Sequence, residues 1–405
     1  MNNNVENYST YRWVVLGSAW LVLACLTWSW LLIPSLAHYL FRDLNLNHSQ
    51  FTLILTVPFF VGIVTSIVGG GLGDRFGIHL VIALCGFFAG FAGIARIAAT
   101  SFAPMFELMC LLGVGYGIIM PTLPKLVGIW FPPHQVGLAN GIVFSALNIG
   151  AALGLFTGPL FPSWQTAFLP VSVLVLVAST IWVFLGRNAP KGVTIIIPSV
   201  IIGIKRGLGS KNVWLIAFGQ FLFLGAFIGL FGNLPIALEK VHHVDPKTAG
   251  AIASLLTWGV TLGNFLIPMI SDKVGLRKIF VYSGALVSAM CFFIAWYLAP
   301  GTATGVFIFA GGIIFGGIQP VLFAILVELP EIGLECLGGT SGIVATFLNA
   351  GGFFIPLLVV SPLLAPGTIK AYTTGFLAIS LIIAAIAVLT IFLYEPFPRG
   401  KRLSG

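Results

Sequence analysis

The chain has 405 residues, of which 58% are hydrophobic and only 7% are charged, and its formal net charge is +8. A soluble domain carries roughly a quarter charged residues, so this composition excludes an ordinary soluble protein. The apolar residues fall in blocks of about 18 or more, which is long enough for transmembrane helices. These blocks lack the alternation of a membrane β-barrel, and the sequence therefore predicts an all-α, multi-pass membrane protein.

Twelve such blocks follow one another, separated by short turns that contain Gly, Pro or charged residues. We number them span 1 to span 12. Their expected ranges are 12–36, 50–72, 78–99, 103–127, 136–160, 165–187, 212–238, 247–270, 278–299, 301–328, 335–362 and 369–394. Span 1 is too long for a cleaved signal peptide, and no small-residue cleavage site follows it.

Lys and Arg are distributed unequally between the two ends of these spans. With the N-terminus in the cytoplasm, only five of the 19 basic residues fall outside, namely Arg42, Arg96, Lys240, Lys247 and Lys370. An excess of basic residues is typical of cytoplasmic loops. We therefore expect an integral protein of the plasma (inner) membrane with both termini in the cytoplasm. The topology accounts for the positive charge, so no nucleic-acid partner is implied.

Residues 188–211, between spans 6 and 7, differ from the other connections. Their apolar core, 193–204, is too short to cross a membrane, contains Pro198 and is flanked by basic residues. Such a segment is expected to lie along the cytoplasmic membrane surface. It divides an N-terminal six-helix bundle, residues 1–187, from a C-terminal six-helix bundle, residues 212–405.

The two halves carry an internal repeat. GIVFSALNIG at 141–150 in span 5 matches GIVATFLNAG at 342–351 in span 11. Pro34 and Pro235 have the same spacing, and Asp74-Arg75-Phe76-Gly77 has a near-copy in Asp272-Lys273-Val274-Gly275. Because each half has six spans, both repeats have the same orientation, as in bundles related by an axis along the membrane normal.

The segment from Gly70 to Gly77, GGLGDRFG, resembles the loop between spans 2 and 3 of the major facilitator superfamily, G-x-L-x-D-R-x-G-R-K. It departs at its end, where Ile78 and His79 replace the basic pair. The resemblance implies alternating access by two rocking bundles and a conformational latch on the cytoplasmic side. The latch residues are Gly70, Asp74, Arg75, Gly77, Asp272, Lys273 and Gly275. Physically, the aspartate can accept hydrogen bonds from a helix start and the arginine can pair across the bundle gap. The alternative is a solvated, positively charged loop.

In this fold spans 1, 4, 7 and 10 line the cavity, with spans 2, 5, 8 and 11 beside them. Polar side chains in the middle of a span are costly and usually face the bundle interior. The candidate substrate-binding residues are Trp28, Trp30, Tyr116, Asn148, Gln220, Trp258, Gln319 and Asn349. Each can serve either a ligand or a helix–helix hydrogen bond, and we expect about half of them to line the cavity.

Charged residues within the spans are few. Arg96 and Glu107 lie at similar depth on neighbouring spans and are candidates for a mutual pair, or for charge coupling at the outer end. Lys125 can snorkel to the headgroups or offer a positive charge to an anion at the inner mouth. No Asp or Glu occupies the middle of a predicted span, which argues against a deeply buried proton site. Exchange, facilitated diffusion and coupling of a proton or another ion all stay open.

Other site chemistry is not indicated. The five cysteines, which lie in or at the ends of spans, have the spacing of neither a disulfide framework nor a metal site. No nucleophile–base pair or phosphate-binding loop occurs, so we expect no enzyme, no metal and no cofactor.

Within the superfamily, several short segments look like the cyanate and nitroimidazole permease-like group of anion carriers. They are Arg12-Trp13, Thr56-Val57-Pro58, Gly93-Ile94-Ala95-Arg96, the run from Met120 to Lys125, and Trp130-Phe131-Pro132. A weaker similarity to nitrate/nitrite porters lies in spans 5 and 11. The central arginines of those porters in spans 2 and 8 are missing here, so nitrate is not the expected substrate.

These features favour a secondary carrier of a small organic solute, a weak monovalent anion, which acts as a monomer in the lipid bilayer. An exporter of amphipathic or aromatic compounds is the second interpretation. The fourth-span arginine typical of drug antiporters is absent, since Met109 stands four residues before Gly113. A non-transporting receptor would carry a sizeable soluble region, and a channel does not suit two duplicated bundles.

Overall fold

The computed structural model describes residues 10–132, 135–190, 200–332 and 337–395 of the chain. These residues form twelve helices that are long and apolar enough to cross a membrane, which confirms the predicted number. The spans are Arg12–Asp43, His48–Ser66, Ile78–Ala98, Phe102–Trp130, Leu138–Leu160, Trp164–Leu185, Lys211–His242, Pro246–Val274, Lys278–Tyr297, Thr302–Glu328, Gly339–Leu364 and Ile369–Ile391. The described part of the chain contains no β-strand, and the all-α class is confirmed.

The ends of the spans define two sides of the molecule. Spans 1 and 7 begin at the side where the connection between the halves lies, and we call this the linker side. The opposite side, where spans 1 and 7 end, is the far side. Both helices run further towards the far side than the sequence indicates, to Asp43 and His242 rather than to 36 and 238.

Several spans are irregular near prolines. Span 1 changes to a 3₁₀ turn at Ile33–Leu36, which contains Pro34, before it resumes as a helix. Span 10 divides at Gly317, close to Pro320. Proline has no N–H to donate to the preceding turn, and such breaks are expected beside it. The repeat does not copy the break, because Pro235, the counterpart of Pro34, lies within the unbroken helix Lys211–His242.

Glycines let spans 5 and 11 approach the first helix of their own bundle. A Cβ atom at Gly150 would lie 2.7 Å from the carbonyl oxygen of Ala24 on span 1. A Cβ atom at Gly351 would lie 2.7 Å from the Cα atom of Phe221 on span 7. Real Cβ atoms do not come this close, so both positions require glycine, as small-residue helix contacts in membranes do.

The connection between the bundles contains a short helix, Val200–Leu208, which we call the linker helix. It packs on span 11, where a Cβ atom at Gly207 would lie 2.8 Å from Thr340 Cγ2. The indole N–H of Trp214 donates to the carbonyl oxygen of Leu208 at 2.9 Å and ties the linker helix to span 7. Lys205 and Arg206 are exposed on it. Residues 191–199, which include Pro198, lie outside the described part.

Candidate functional site

The two bundles contact each other on the far side. Ser49 at the start of span 2 lies 3.4 Å, Oγ to Oγ, from Ser361 near the end of span 11. The ammonium of Lys240 on span 7 lies 4.7 Å from the ring centroid of Phe41 on span 1. A Cβ atom at Gly232 on span 7 would lie 2.6 Å from Leu55 of span 2. These contacts bring spans 1 and 2 of one half against spans 7 and 11 of the other.

An aromatic cluster of Trp30, Phe59 and Tyr116 occupies the middle of the N-terminal bundle. The ring centroid of Trp30 lies 4.7 Å from that of Phe59 and 5.0 Å from that of Tyr116. The indole N–H of Trp30 donates to the carbonyl oxygen of Leu55 at 2.9 Å, which fixes the ring. Phe59 reaches the other bundle, since a Cβ atom at Gly352 would lie 3.3 Å from its ring. Two sequence-predicted residues, Trp30 and Tyr116, thus meet close to the bundle interface, and Phe59 is a third member that sequence reasoning missed.

Gln220 and Gln319 are joined in the C-terminal bundle. The side-chain Nε2 of Gln220 donates to the carbonyl oxygen of Gln319 at 3.0 Å, next to the break in span 10. Gln220 is fully buried, and its Oε1 has no hydrogen-bond partner. A buried amide oxygen without a partner is costly, so this position is a candidate for an additional polar contact.

The other predicted residues differ in their contacts and exposure. The indole N–H of Trp28 donates to Thr157 Oγ1 at 3.0 Å and ties span 1 to span 5. Asn349 donates to the carbonyl oxygen of Ala345 in its own helix at 3.1 Å, and Asn148 is half-buried. Trp258 is 38% exposed on span 8, on the same helix face as other exposed apolar residues.

Arg96 lies fully buried inside the N-terminal bundle and is not paired with Glu107. Its guanidinium donates to the carbonyl oxygen of Ser29 at 3.1 Å, to Ser29 Oγ at 2.7 Å and to Met109 Sδ at 3.2 Å. Its Cζ atom lies 4.3 Å from the ring centroid of Phe168. Glu107 is exposed. The suggested Arg96–Glu107 pair is therefore wrong, because the arginine points between spans 1, 4 and 6 while the carboxylate points outwards.

Two further charged residues bear on the site. Lys125 is half-buried in span 4 on the linker half of the helix. Glu239 on span 7 was missed, because the predicted span ends one residue before it. The carboxylate of Glu239 lies 3.8 Å from the imidazole of His38 in the other bundle.

In the C-terminal bundle, Arg277 pairs with Asp272, one of the expected latch residues. Its guanidinium lies 2.6 Å from Asp272 Oδ1 and 2.8 Å from Glu328 Oε1, and it also donates to Ser271 Oγ at 3.2 Å. The hydrogen bond to Glu328 raises the pKa of Arg277 above its ordinary value. The latch contacts described here stay within one bundle, and Lys273 is exposed.

The start of span 9 is held by a residue far along the chain. Glu395, which follows span 12, accepts from the backbone N–H groups of Arg277 at 2.7 Å and of Lys278 at 2.9 Å. The acceptor at this helix start is therefore Glu395 rather than Asp272. Gly275 ends span 8 with φ +76°, a backbone conformation that favours glycine.

The N-terminal bundle repeats this arrangement. Asn188, which follows span 6, accepts with Oδ1 from the backbone N–H of His79 at 2.8 Å. Gly77 has φ +85°, and a Cβ atom there would lie 2.7 Å from the Asn188 side chain. Arg75 is exposed, with its guanidinium over the ring of Phe76.

Some of the predicted positions fall outside the description. The side chain of Asp74 and the surroundings of Gly70 lie outside the described part, as does Cys336. Cys25, Cys85, Cys110 and Cys291 are free thiols. The described residues form no group of three or more side chains suited to a metal.

Comparison with known proteins agrees with this architecture. The family model for the Major Facilitator Superfamily matches residues 19–356. The chain is 26% identical to a nitrite extrusion protein of Bacillus subtilis (strain 168), over 90% of each chain. It is also 26% identical to a probable nitrate/nitrite transporter, NarK2, of Mycobacterium tuberculosis, over 82% of this chain and 84% of that one.

The fold is shared with a solved structure. A bacterial homolog of the human lysosomal transporter Spinster, in an inward-facing and unoccupied conformation, superposes with a TM-score of 0.78. The match covers 95% of this chain and 97% of that chain at 14% identity. With its family model matched over most of its length, the chain belongs to the Major Facilitator Superfamily and is a transporter, not an enzyme.

Proposed function

We propose that this transporter is a secondary carrier of a small organic anion, a weak monovalent acid in its ionised form. One observation carries the proposal: every Asp and Glu in the described spans lies within about two helical turns of a span end. The centre of the molecule therefore offers aromatic faces and neutral hydrogen-bond donors without a carboxylate to repel an anion. The names of the two relatives, a nitrite extrusion protein and a nitrate/nitrite transporter, are those of anion carriers.

The binding region would lie where the aromatic cluster of Trp30, Phe59 and Tyr116 meets span 11. The flat carboxylate group of the solute, or a planar ring that carries it, can stack on these aromatic side chains. Amide N–H groups from Asn148, Asn349 and Gln319 would supply hydrogen bonds to oxygen atoms of the solute. Trp28, Gln220 and Trp258 are placed at the edge of this binding region, and the first two already bond to neighbouring helices.

The contacts between the bundles indicate from which side the solute would enter in this state. The far side is held together by the Ser49–Ser361 and Phe41–Lys240 contacts, so in this state the solute would reach the centre from the linker side. From the distribution of Lys and Arg, that side faces the cytoplasm. Lys125, on the linker half of span 4, would raise the local concentration of anions at the mouth. The carrier would act as a monomer, with each bundle as one rigid part.

A second candidate is an exporter of amphipathic or aromatic compounds. The aromatic cluster favours it, because three large rings at the bundle interface suit a hydrophobic ring system as well as a carboxylate. The absence of a central carboxylate disfavours it for organic cations, which such a group would attract.

Reconstitution into proteoliposomes tests the proposal. The panel contains formate, acetate, cyanate, nitrite, nitrate, benzoate and a hydrophobic organic cation. We expect saturable uptake of a small organic anion that is stimulated by the same unlabelled anion on the opposite side, as exchange through one site requires. Uptake of the cation alone would favour the exporter. No countertransport for any small anion would refute the proposed substrate class.

A further inference from the structure

A histidine and a carboxylate face each other across the bundle interface on the far side. His38 of span 1 places Nδ1 3.8 Å from Oε2 of Glu239 on span 7. The two side chains keep only 33% and 16% of their surface exposed. Because one belongs to each bundle, the contact exists only while the bundles are close together at this side.

The other charged groups near the pair are already engaged or lie further along the same elements. Arg42 and Asp43 act on His38 through space, but they pair with each other at 2.7 Å. Asp43 also accepts from the indole N–H of Trp164 at 3.1 Å. Around Glu239, the neighbouring charges are Lys240 on span 7 and Asp245 on the turn that follows.

The other titratable groups on the packed elements include Tyr39, His48 and, beyond Glu239 at the end of span 7, His242 and His243. The ring of His242 lies 5.1 Å, centroid to centroid, from that of Trp296 in its own bundle. The ring of Tyr39 lies 3.8 Å, centroid to centroid, from that of His38. His48 of span 2 stacks on Phe41 at 6.1 Å, and the ammonium of Lys240 covers the same phenylalanine. In the part of the chain that the structure describes, His38 is the only ion-pair partner of Glu239 within 4.0 Å.

We propose that His38 and Glu239 form a proton-sensitive lock that holds the far side of the carrier closed. With one proton on the pair, either imidazolium faces carboxylate or imidazole faces carboxylic acid, and both arrangements attract. Loss of that proton leaves a largely buried carboxylate beside a neutral imidazole, which is costly without a compensating charge. Opening the far side hydrates the carboxylate, so loss of the proton shifts the carrier towards the state that is open on the far side.

Through this lock, the pH of the solution on the far side would regulate the opening of the carrier. The lock rests on the proposed carrier function, and it deepens that function by naming the group through which pH acts on the cycle. Unperturbed histidine titrates in the neutral range, and a histidine–carboxylate pair that shares one proton is therefore suited to respond to ordinary changes of pH. Glu107, another carboxylate towards the far side, is exposed.

The experiment measures the separation of the bundles directly and needs no substrate. Spin labels are attached at Leu160→Cys, at the far-side end of span 5, and Ile369→Cys, at the far-side start of span 12, with the native cysteines replaced. Both positions are exposed, at 56% and 66%. Distance distributions are recorded by double electron–electron resonance from pH 5 to pH 9 in the parent, His38→Gln, Glu239→Gln and Glu107→Gln proteins.

In the parent, the ratio of far-side-open to far-side-closed molecules should rise with pH, by up to about tenfold per pH unit, the limit for release of one proton. Glu239→Gln should remove this rise, and His38→Gln should shift its midpoint, because the carboxylate of Glu239 can still take up a proton. Glu107→Gln should leave the rise unchanged. A parent without pH dependence, or an unchanged response in both lock variants, would overturn the lock. A response abolished by Glu107→Gln alone would assign the role to that carboxylate instead. Because no solute is present, a failed lock is distinguishable from a wrong substrate class.

Discussion

Gly150 and Gly351 occupy equivalent places in the two bundles, each pressing the backbone of its helix against the first helix of its own half. Gly150 contacts span 1 at Ala24, and Gly351 contacts span 7 at Phe221. The segments that contain them, 141–150 and 342–351, are the clearest repeat in the sequence. The repeat therefore preserves a packing contact, and both copies also contain an asparagine two residues before the glycine.

A larger residue at this contact should destabilise the fold. Gly351→Val would force its methyl groups into the backbone of Phe221, and overpacking of this kind typically costs about 1–3 kcal/mol or more. Gly342→Val on the same helix is the matched control, since a Cβ atom there meets nothing within 4 Å. Thermal unfolding in detergent should show a lower midpoint for Gly351→Val only. Equal midpoints for both variants would mean that span 11 can shift away from span 7.

The asparagines of the repeat should matter for transport more than for folding. Asn349 bonds within its own helix and Asn148 is half-buried, so leucine at either position removes little stability. We expect weaker uptake of the transported anion for Asn148→Leu and Asn349→Leu, with thermal midpoints near the parent value. Normal affinity and flux in both variants would show that these side chains are structural.

The aromatic cluster predicts a difference between two substitutions of Tyr116. Tyr116→Phe keeps the ring beside Trp30 and should retain most of the binding, whereas Tyr116→Leu removes the stacking surface. An aromatic contact contributes about 0.5–1.5 kcal/mol beyond its buried area, which corresponds to a change in dissociation constant of roughly two- to tenfold. Titration of the purified protein with the transported anion measures this. Equal affinities in the two variants would show that the ring of Tyr116 does not contact the solute.

Arg277 should stabilise the C-terminal bundle over a wide pH range. Arg277→Gln removes the guanidinium that pairs with Asp272 and Glu328 and should lower the thermal midpoint, whereas Lys273→Gln, at an exposed neighbour, should not. The hydrogen bond to Glu328 raises the arginine pKa, so its stabilisation is complete below the pKa of an unfolded arginine and is lost only as the pH rises through the higher folded pKa. The difference between Arg277→Gln and the parent should therefore stay constant from about pH 6 to pH 9. If the difference in thermal midpoint disappeared towards pH 9, the stabilisation would not come from the Arg277 ion pairs.

The sequence was sufficient for the membrane architecture because hydrophobic length is a local property. All twelve spans were predicted, and the repeat indicated two bundles of the same orientation. The boundary errors at the far-side ends of spans 1 and 7 share one cause, since polar residues such as His38 and Glu239 lie inside these helices. A window based on apolar residues ends at the first such group, although the helix continues.

The contacts of the candidate site could not be read in the same way, because they join distant parts of the chain. Phe59 is one of many phenylalanines in the sequence, and only the packing of spans 1, 2 and 4 separates it from the rest. Arg96 and Glu107 had similar predicted depths, but depth says nothing about the direction in which a side chain leaves its helix. The His38–Glu239 pair joins residues from different halves, which no local pattern connects.

The helix starts held by Asn188 and Glu395 have a mechanical consequence. In each half, a residue that follows the sixth helix accepts a hydrogen bond from the backbone at the start of the third helix. The end of each bundle is therefore bonded to the middle of the same bundle. A rocking motion between the halves leaves these bonds untouched, because neither crosses from one half to the other. Each bundle can then move as one body, joined to the other by the connection that carries the linker helix, Val200–Leu208.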